Sequence, residues 1–286
     1  MSVIANWVHI EAKDGYSVPC FVRSTQGNTR NILVMPALGV RASFYKVLAE
    51  ELCENGFNAI LLEQRGYGKS SVRPSRTSTW GFFEPIDSDI PAVLDWVDTE
   101  LGGSTAILGH SLGGHLALCY CALNLSRVDR VVLPACGSPW IDAYIGLPRI
   151  QIITLLCLIP AMNFMFGYYR GSLTGFGGNE SSQVMNDWRH LAKRNQYRVQ
   201  GVTSNIDLLL EEFKGKVLSV SFQDDGLAPK AAVEAILNKM PIADVTRVSY
   251  SSEELSLGER ESLVKADHFG WAKSPNSTVS SILDWW

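Results

Sequence analysis

The feature that most constrains the fold is a series of short, almost uninterrupted apolar runs separated by helix-like segments. The central runs are NILVMP, NAILLE, TAILG, RVVLPA and VLSVSF. Their β-branched and aliphatic residues are consecutive rather than alternating, which is typical of strands buried on both faces of a parallel sheet. Helix-like patterns lie between them, over residues 44–54, 86–101, 112–123 and 230–239. This alternation predicts an α/β fold with a mostly parallel, doubly wound sheet.

The same pattern predicts how the chain is divided. Two strand-like runs, VHIEA and VPCFV, precede the central ones and suggest an antiparallel hairpin at the sheet edge. The alternation fails between about residues 137 and 205, where the pattern is helical and loop-like. We therefore expect a core of residues 1–136 and 206–286, with residues 137–205 inserted as a helical cap. Such a cap lies over the carboxyl ends of the strands, where open α/β sheets bind ligands.

Charge and cysteine content limit the partners and the compartment. The 286 residues carry a formal net charge of −4 with no block of like charges, so we expect no nucleic-acid partner. The N-terminus lacks a basic stretch followed by a long apolar one, so we expect no secretory signal. The six cysteines show no CxxC pair or framework spacing, which favours reduced thiols and a cytoplasmic protein.

The most apolar segment is IGLPRIQIITLLCLIPAMNFMFGYY, residues 145–169. Its uninterrupted part, residues 152–160, is shorter than the ~20 residues that a membrane-spanning helix needs. Pro148, Arg149 and Pro160 interrupt the longer run. We expect a segment that does not span a membrane and that forms core, an apolar pocket wall or a membrane-touching patch. Of these, the membrane contact is the alternative that we do not favour.

A serine between two glycines stands where a strand must turn into a helix, in AILGHSLGGHLAL. Ser111 lies between Gly109 and Gly113, and such a turn strains the serine backbone while the glycines omit Cβ atoms that would collide with neighbouring elements. The alternative is a plain strand–helix turn of a nucleotide-binding sheet, but that turn needs G-x-G-x-x-G, which GHSLGG lacks. The sequence therefore predicts Ser111 as a nucleophile.

A serine hydroxyl needs a base, and on this kind of sheet the order along the chain is serine, acid, histidine. His268, in VKADHFGWAK, follows the last strand-like run and precedes a terminal helix pattern. The other four histidines lie before the serine, in or just after the turn, or on a polar helix: His9, His110, His115 and His190. We therefore expect His268 to be the base.

The acid should follow a strand between the serine and the histidine. KVLSVSFQDDGLAP supplies two adjacent carboxylates after such a strand, and Asp225 is the favoured residue. Asp224 and the earlier Asp142 stay open as alternatives, because carboxylates before a helix can also serve as caps.

An acyl transfer also needs N–H donors for the oxyanion, each worth ~3 kcal/mol. The amide after the nucleophile, that of Leu112, lies at a helix N-terminus and is the first candidate. The second should come from PALGV after the strand NILVMP. Leu38 is favoured there, with Ala37 and Gly39 as alternatives.

Together these segments resemble the serine α/β-hydrolase superfamily over nearly the whole chain. The resemblance lies in MPALGV, LLEQRGYGKS, GHSLGG, FQDDGLAP and ADHFGW. LLEQRGYGKS is similar to the family's D-x-R-G-x-G-x-S turn, with Glu63 where aspartate is usual; Pro36 and Ala37 replace the frequent His-Gly. Pro36 and Ala37, together with GVRASFY and DHFGW, resemble the corresponding segments of a little-characterised branch of predicted hydrolases. The resemblance implies the α/β-hydrolase fold, an inserted cap and catalysis by Ser111, Asp225 and His268.

The resulting hypothesis is a carboxylic-ester hydrolase that works through an acyl-enzyme on a small-molecule ester or acyl substrate, with no metal or organic cofactor. Aromatic residues in the cap, Trp140, Tyr144, Phe164 and Phe166, are candidates to bind an apolar part of the substrate, or they form the core of the cap. An acyltransferase or thioesterase with the same triad is an alternative. A non-catalytic binding protein on the same fold is a second one. The sequence does not indicate the oligomeric state.

Overall fold

The computed structural model describes residues 3–255 and 265–286. Its strands are β1 (Val3–Glu11), β2 (Ser17–Thr25), β3 (Arg30–Met35), β4 (Phe57–Leu62), β5 (Ser104–Gly109), β6 (Arg130–Pro134), β7 (Tyr168–Arg170), β8 (Asn179–Ser181), β9 (Lys216–Phe222) and β10 (Asp244–Tyr250). Its α-helices are α1 (Lys46–Glu54), α2 (Ile90–Glu100), α3 (Leu112–Leu123), α4 (Gly146–Phe166), α5 (Ser182–Arg194), α6 (Ile206–Glu211), α7 (Lys230–Leu237), α8 (Ser252–Leu255) and α9 (Asn276–Trp285).

Eight strands form one sheet in the order β1-β2-β4-β3-β5-β6-β9-β10. The strands from β4 to β10 in that order are parallel, whereas β1 and β2 form an antiparallel hairpin at one edge. Each strand-like run predicted from the sequence lies on one of these eight strands. The predicted α/β fold class with a mostly parallel sheet is confirmed.

Both faces of the sheet are covered, which explains the uninterrupted apolar runs. Along β3, Leu33 and Met35 pack into one core, and Ile32 and Val34 pack into the other. Helices α1 and α9 cover the second face, while α2, α3 and α7 cover the first. The carboxyl ends of the parallel strands are thereby left as the edge at which loops of several strands meet.

Between β6 and β9 the chain forms α4, the short antiparallel ribbon β7–β8, α5 and α6. The ribbon has strands of three residues each, too short to leave a periodic signal in the sequence. All of these elements except α6, which begins at Ile206, lie within residues 137–205, the segment predicted to be a cap. The boundaries 137 and 205 themselves stay a prediction.

Pro148 and Pro160 do not divide the helix, because α4 is one helix of 21 residues; the length argument drawn from residues 152–160 was therefore wrong. Pro148 lies in its first turn, where a helical N–H has no partner within the helix. Pro160 lies inside the helix and cannot donate to the carbonyl of Leu156. That carbonyl accepts instead from Nε of Arg189 on α5, at 2.8 Å. A hydrogen bond from the neighbouring helix thus compensates for the proline.

By length and composition alone, α4 is long and apolar enough to cross a membrane, with a mean hydropathy of 1.6 over its best 18-residue window. Only 11% of that window is buried. Its buried residues, Ile152, Leu155, Leu156 and Ile159, form a single stripe, so most of the helix surface faces outward.

The six cysteines are unpaired, and Cys157 on α4 is the exposed one.

Candidate active site

Ser111 lies at the turn between β5 and α3, at the carboxyl end of the sheet. Its backbone has φ 52° and ψ −116°, a left-handed conformation that a residue with a side chain adopts only at a cost of order 1–3 kcal/mol. Its side chain is partly exposed and lines the main cavity. The strained turn therefore presents the hydroxyl to that cavity.

The two glycines beside Ser111 are required by close backbone packing. A Cβ on Gly109 would collide with the backbone of Gly114, and one on Gly113 would collide with the carbonyl of Met35 on β3. The sequence argument for this pair was steric, and the structure supplies the colliding atoms.

His268 and Asp225 form a buried pair. Nδ1 of the imidazole lies 3.0 Å from Oδ1 and 2.9 Å from Oδ2 of the carboxylate. Oδ1 also accepts the backbone N–H groups of Leu227 and Ala228, each at 2.9 Å. These bonds fix the carboxylate, which in turn orients the imidazole with Nδ1 protonated and leaves Nε2 for other partners.

The two alternative acids lie elsewhere. Asp224 is exposed and accepts from the hydroxyl of Ser252 at 2.8 Å. Asp142 is exposed and forms an ion pair with Arg149 at 2.9 Å. Of the three carboxylates considered from the sequence, Asp225 is the one that the structure brings to His268.

Ser111 and His268 line the same cavity, together with Leu38 and Leu112. Among the described residues, no hydrogen bond joins the Ser111 hydroxyl to the imidazole. Bonds between a nucleophile and its base are often long without substrate and shorten when substrate binds. The residues that the sequence predicted to act together are thus assembled around one space.

His110, the variable residue of the turn, is fully buried behind the site. Its Nδ1 lies 2.7 Å from the hydroxyl of Tyr45, and its ring centroid lies 4.9 Å from that of His268. Burial first, and then the charge of His268, hold the pKa of His110 well below its usual value. His110 is therefore neutral, and it supports the site rather than supplying a second base.

In the loop after β3, the amide of Leu38 is available for an oxyanion. The Ala37 N–H donates to the Tyr45 hydroxyl at 3.0 Å, and the Gly39 amide faces the hydroxyl of Tyr67. Within the described parts of the chain, the N–H groups of Leu38 and Leu112 donate to no protein acceptor. Tyr45 and Tyr67 were not found from the sequence, because nothing in their local pattern separates them from ordinary aromatic residues.

A buried contact joins this loop to the cap. The Tyr67 hydroxyl donates to Oε1 of Glu180, which also accepts from the Gly178 amide at 3.3 Å. A Cβ on Gly39 would lie 2.6 Å from the carbonyl carbon of Gly177, so the two backbones are in direct contact. Burial raises the pKa of Glu180 to about 7. The candidate oxyanion loop and the β7–β8 segment thus form one packed unit.

Glu63 accounts for the variant turn LLEQRGYGKS. Its carboxylate is buried and accepts the amides of Ala42, at 2.9 Å, and Lys69, at 3.2 Å. It therefore ties the turn after β4 to the segment that follows the oxyanion loop. This is a structural function.

The cavity has a volume of about 590 Å³. The core contributes the site residues and Phe269, while α4 contributes Pro148, Gln151, Leu155 and Leu158. Among the described lining residues, the histidines are the only ones with a titratable nitrogen, and no Lys, Arg, Asp or Glu is present. The volume is typical of a small-molecule site. The cavity therefore suits a ligand that is largely apolar and uncharged.

Of the four cap aromatics considered for substrate binding, Tyr144 lines the cavity. Its hydroxyl donates to the carbonyl of Leu227 at 2.7 Å. The other three expectations are corrected by the geometry. Phe164 is 86% exposed, Phe166 lies under the guanidinium of Arg170, and Trp140 packs against the core instead of lining the cavity. Residues 164 and 166 lie near the C-terminal end of α4, beyond its cavity-lining part.

The sequence missed Trp188 and Phe176, which line the cavity from the cap with their rings 5.2 Å apart. His115 also lines it, and burial lowers its pKa to about 4.

Among the described residues, no group of three His, Cys, Asp or Glu side chains could hold a metal ion.

Comparison with known proteins gives matches at two levels. A family model described as the alpha/beta hydrolase fold matches residues 32–145, which include the oxyanion loop and Ser111. A 2-hydroxy-6-oxononadienedioate/2-hydroxy-6-oxononatrienedioate hydrolase from Cupriavidus pinatubonensis is 30% identical over 133 residues, 44% of this chain and 44% of the relative. The chain thus matches less than half the length of that curated relative.

Solved structures match over almost the whole chain at low identity. An esterase from Exiguobacterium antarcticum is 16% identical with a TM-score of 0.62, covering 97% of this chain and 98% of the other. A thermophilic esterase from Thermogutta terrifontis is 16% identical with a TM-score of 0.61, covering 98% and 97%. At such low identities the structural similarity shows the fold alone. The resemblance to a little-characterised branch of predicted hydrolases, drawn from the sequence, stays a prediction. The family model over residues 32–145 and these solved structures agree on the α/β-hydrolase fold.

Proposed function

We propose that the protein is a serine hydrolase that cleaves a carboxylic ester, or a related acyl bond, of a partly apolar small molecule through an acyl-enzyme. The observation that carries the proposal is the buried His268–Asp225 pair, at 2.9 Å, on the cavity that Ser111 also lines. A hydrogen-bonded imidazole beside a strained serine is the arrangement that activates a hydroxyl.

In the first half-reaction, the Ser111 oxygen forms a bond to the carbonyl carbon while Nε2 of His268 takes the hydroxyl proton. The carbonyl π electrons move to oxygen, and the amides of Leu38 and Leu112 donate to this oxyanion. When the intermediate collapses, the bond to the alcohol oxygen breaks, and His268 returns the proton to the leaving alcohol. The acyl group is then bound to Ser111.

In the second half-reaction, water takes the place of the alcohol. His268 removes a proton from the water as its oxygen attacks the acyl carbon, and it returns that proton to the Ser111 oxygen when the acid leaves. The Asp225 carboxylate stabilises the imidazolium in both halves. The free amides of Leu38 and Leu112, and the use of the Ala37 amide by Tyr45, support this choice of donors.

The lining supports an uncharged acyl group. The name of the Cupriavidus relative denotes a substrate with two carboxylates. The cavity here offers no Lys or Arg among its described lining residues to pair with such groups. An acyltransferase or thioesterase would use the same residues and differ in acceptor or leaving group. The unpaired cysteines support a reducing compartment such as the cytoplasm.

The test is a panel of p-nitrophenyl esters of increasing chain length, together with a fluorophosphonate probe that labels activated serines. The wild type should hydrolyse the esters and take up the probe, whereas Ser111→Ala and His268→Ala should show background hydrolysis. Ser71→Ala, at an exposed serine, is the matched control and should retain both activities. Labelling of Ser111→Ala at the wild-type rate would contradict the proposal, as would an unlabelled wild type.

A further inference from the structure

Beyond Arg149, α4 lacks the charged residues that surface helices normally carry. No Lys, Arg, Asp or Glu occurs from residue 150 to residue 169. We call the following exposed apolar residues of α4 and of its N-cap the α4 patch: Ile145, Leu147, Ile150, Ile153, Phe164 and Met165. Ile145 and Phe164 are each 86% exposed. Contiguous apolar patches on a folded surface mark sites that bind a partner or a membrane.

The α4 patch continues into the cavity. Ile150 belongs to the patch and lines the cavity, and Leu158 and Leu173 are also both exposed and cavity-lining. The apolar surface thus runs from the outside of α4 to the space beside Ser111. A ligand that enters along the part of α4 after Arg149 passes no charged side chain of this helix.

Both ends of α4 are bound to the same folded body. Before the helix, the Tyr144 hydroxyl donates to the carbonyls of Ser138 and Leu227. After the helix, Tyr169 is buried and Glu180 accepts from Tyr67 of the core. A helix that crosses a bilayer has its ends on opposite sides, about 30 Å apart across the hydrocarbon. Because both ends are held on one body, α4 is built to lie on a membrane rather than to cross it.

The charges beside α4 suit a lipid surface. Arg149 and Arg170 flank the uncharged segment, and Arg76 donates to the Met165 carbonyl at 2.7 Å. Arg149 is paired with Asp142, whereas in the described part of the chain neither Arg76 nor Arg170 forms an ion pair. Arginines at the edge of an apolar helix can reach lipid phosphates while the apolar side chains enter the acyl boundary.

A second copy of the chain fits the patch less well. A helix of 21 residues is about 30 Å long and about 10 Å wide, so one side offers about 300 Å². A stable protein interface buries about 800 Å² on each partner. A lipid surface has no such minimum area, because binding adds up from each inserted side chain.

From these observations we infer that the α4 patch docks the protein on a lipid surface, with α4 lying in the plane of the interface and the cavity opening toward the acyl chains. The docking is independent of the proposed hydrolase. Its consequence, that acyl groups of lipid-like esters pass along α4 to Ser111, rests on that function.

The experiment uses the full chain with Ser111→Ala, so that no turnover alters the lipid. Sedimentation is measured with vesicles of phosphatidylcholine and with vesicles that also contain phosphatidylglycerol. We compare Phe164→Asp/Met165→Asp with Leu125→Asp/Ile242→Asp, which adds the same charge at exposed apolar residues beside the amino ends of the strands. The α4 variant should lose at least about tenfold in partitioning, while the control retains it. Arg76→Gln should lower binding to the anionic vesicles about fivefold.

Three results would overturn the inference. The parent protein could fail to sediment with either vesicle, or both aspartate variants could lose binding equally. In the third, the parent is a dimer in sedimentation velocity without lipid and the α4 variant is a monomer, which would assign the patch to a second copy. If the protein binds vesicles but the wild type takes up no fluorophosphonate, the proposed hydrolase function alone is refuted.

Discussion

The two walls of the cavity are built in different ways. The core wall consists of Ser111, His268 and the loop around Leu38, each held by strand ends and hydrogen bonds. The cap wall is mainly α4, whose contribution is aliphatic side chains and proline, with Gln151 and Thr154 as its polar lining residues. The residues that we propose to carry the chemistry and those that we propose to set selectivity therefore lie on separate elements of the chain. Substitutions on one wall should therefore change different quantities from those on the other.

The largest effect is expected on the core wall, from Asp225→Asn. This change removes the charge that stabilises the imidazolium and lets the imidazole adopt the other tautomer, so kcat should fall by about 10³–10⁴-fold. Initial rates on a short-chain p-nitrophenyl ester measure it. Asp224→Asn is the neighbouring control and should leave kcat within about twofold, because Asp224 is exposed and bonded to Ser252. Equal losses of kcat in both variants would mean that Asp224 is again a candidate for the catalytic acid.

The contact between Tyr67 of the core and Glu180 of the cap should make the free energy of unfolding depend on pH. Glu180 has its pKa raised by burial to about 7, so the folded state binds more protons than the unfolded state between pH 4.5 and about 7. Its contribution is fully present below pH 4.5 and is lost as the pH rises through 7, for a total of about 3 kcal/mol.

Glu180→Gln keeps an acceptor for Tyr67 and should remove this loss. Denaturant unfolding at a series of pH values should show the wild type losing stability relative to the variant as the pH rises. Burial also raises the pKa of Asp89 and Asp187, each to about 6, but these residues are present in both proteins and cancel in the difference. Parallel curves would show that Glu180 does not titrate in this range.

The support of the cap wall can be tested with Arg189→Met. Without the guanidinium, the Leu156 carbonyl loses the donor that replaces the missing N–H of Pro160. Leaving this group unpaired should cost about 1–3 kcal/mol of unfolding free energy. Arg194→Met, at an exposed position on the same helix, should change stability by less than about 0.5 kcal/mol. An equal effect of the two substitutions would mean that the bond to Leu156 contributes nothing specific.

The smallest effect is expected from Leu158→Ala on the cap wall. Leu158 lines the cavity and is partly exposed, so truncation removes about 1 kcal/mol of contact with a long acyl chain. KM for a long-chain ester should rise about fivefold while kcat on a short-chain ester stays unchanged. A fall in kcat for both esters would show that α4 also positions the catalytic groups, and the separation of the two walls would then fail.

The sequence was sufficient for the core wall because its signals are local and steric. Ser111 between Gly109 and Gly113 follows a strand and precedes a helix, and each glycine is required by a backbone that passes within contact distance. His268 followed by elimination, since few histidines come after the serine. The sequence could favour Asp225 over Asp224 but could not decide between them. The two adjacent residues have the same carboxylate and differ in the direction of their side chains, which the sequence pattern does not show.

The cap wall was predicted less well, for a physical reason. Pro160 predicts a break when its own helix is considered alone, yet Arg189 from α5 supplies the missing bond. Phe164 has the composition of a pocket residue, but the rotation of α4 turns it outward. Trp188 lies on α5 and Phe176 between β7 and β8, so both reach the cavity from elements other than α4.

What the sequence alone determined is the order of strands and helices, the strained serine turn and the histidine that can serve it. These follow from steric limits and hydrophobic periodicity within a few residues. The tertiary structure decided which carboxylate meets His268, which amide of the Leu38 loop remains free and which side of α4 is exposed. Those outcomes depend on how separate elements pack, because a side chain's direction is fixed by neighbours that the local sequence does not contain.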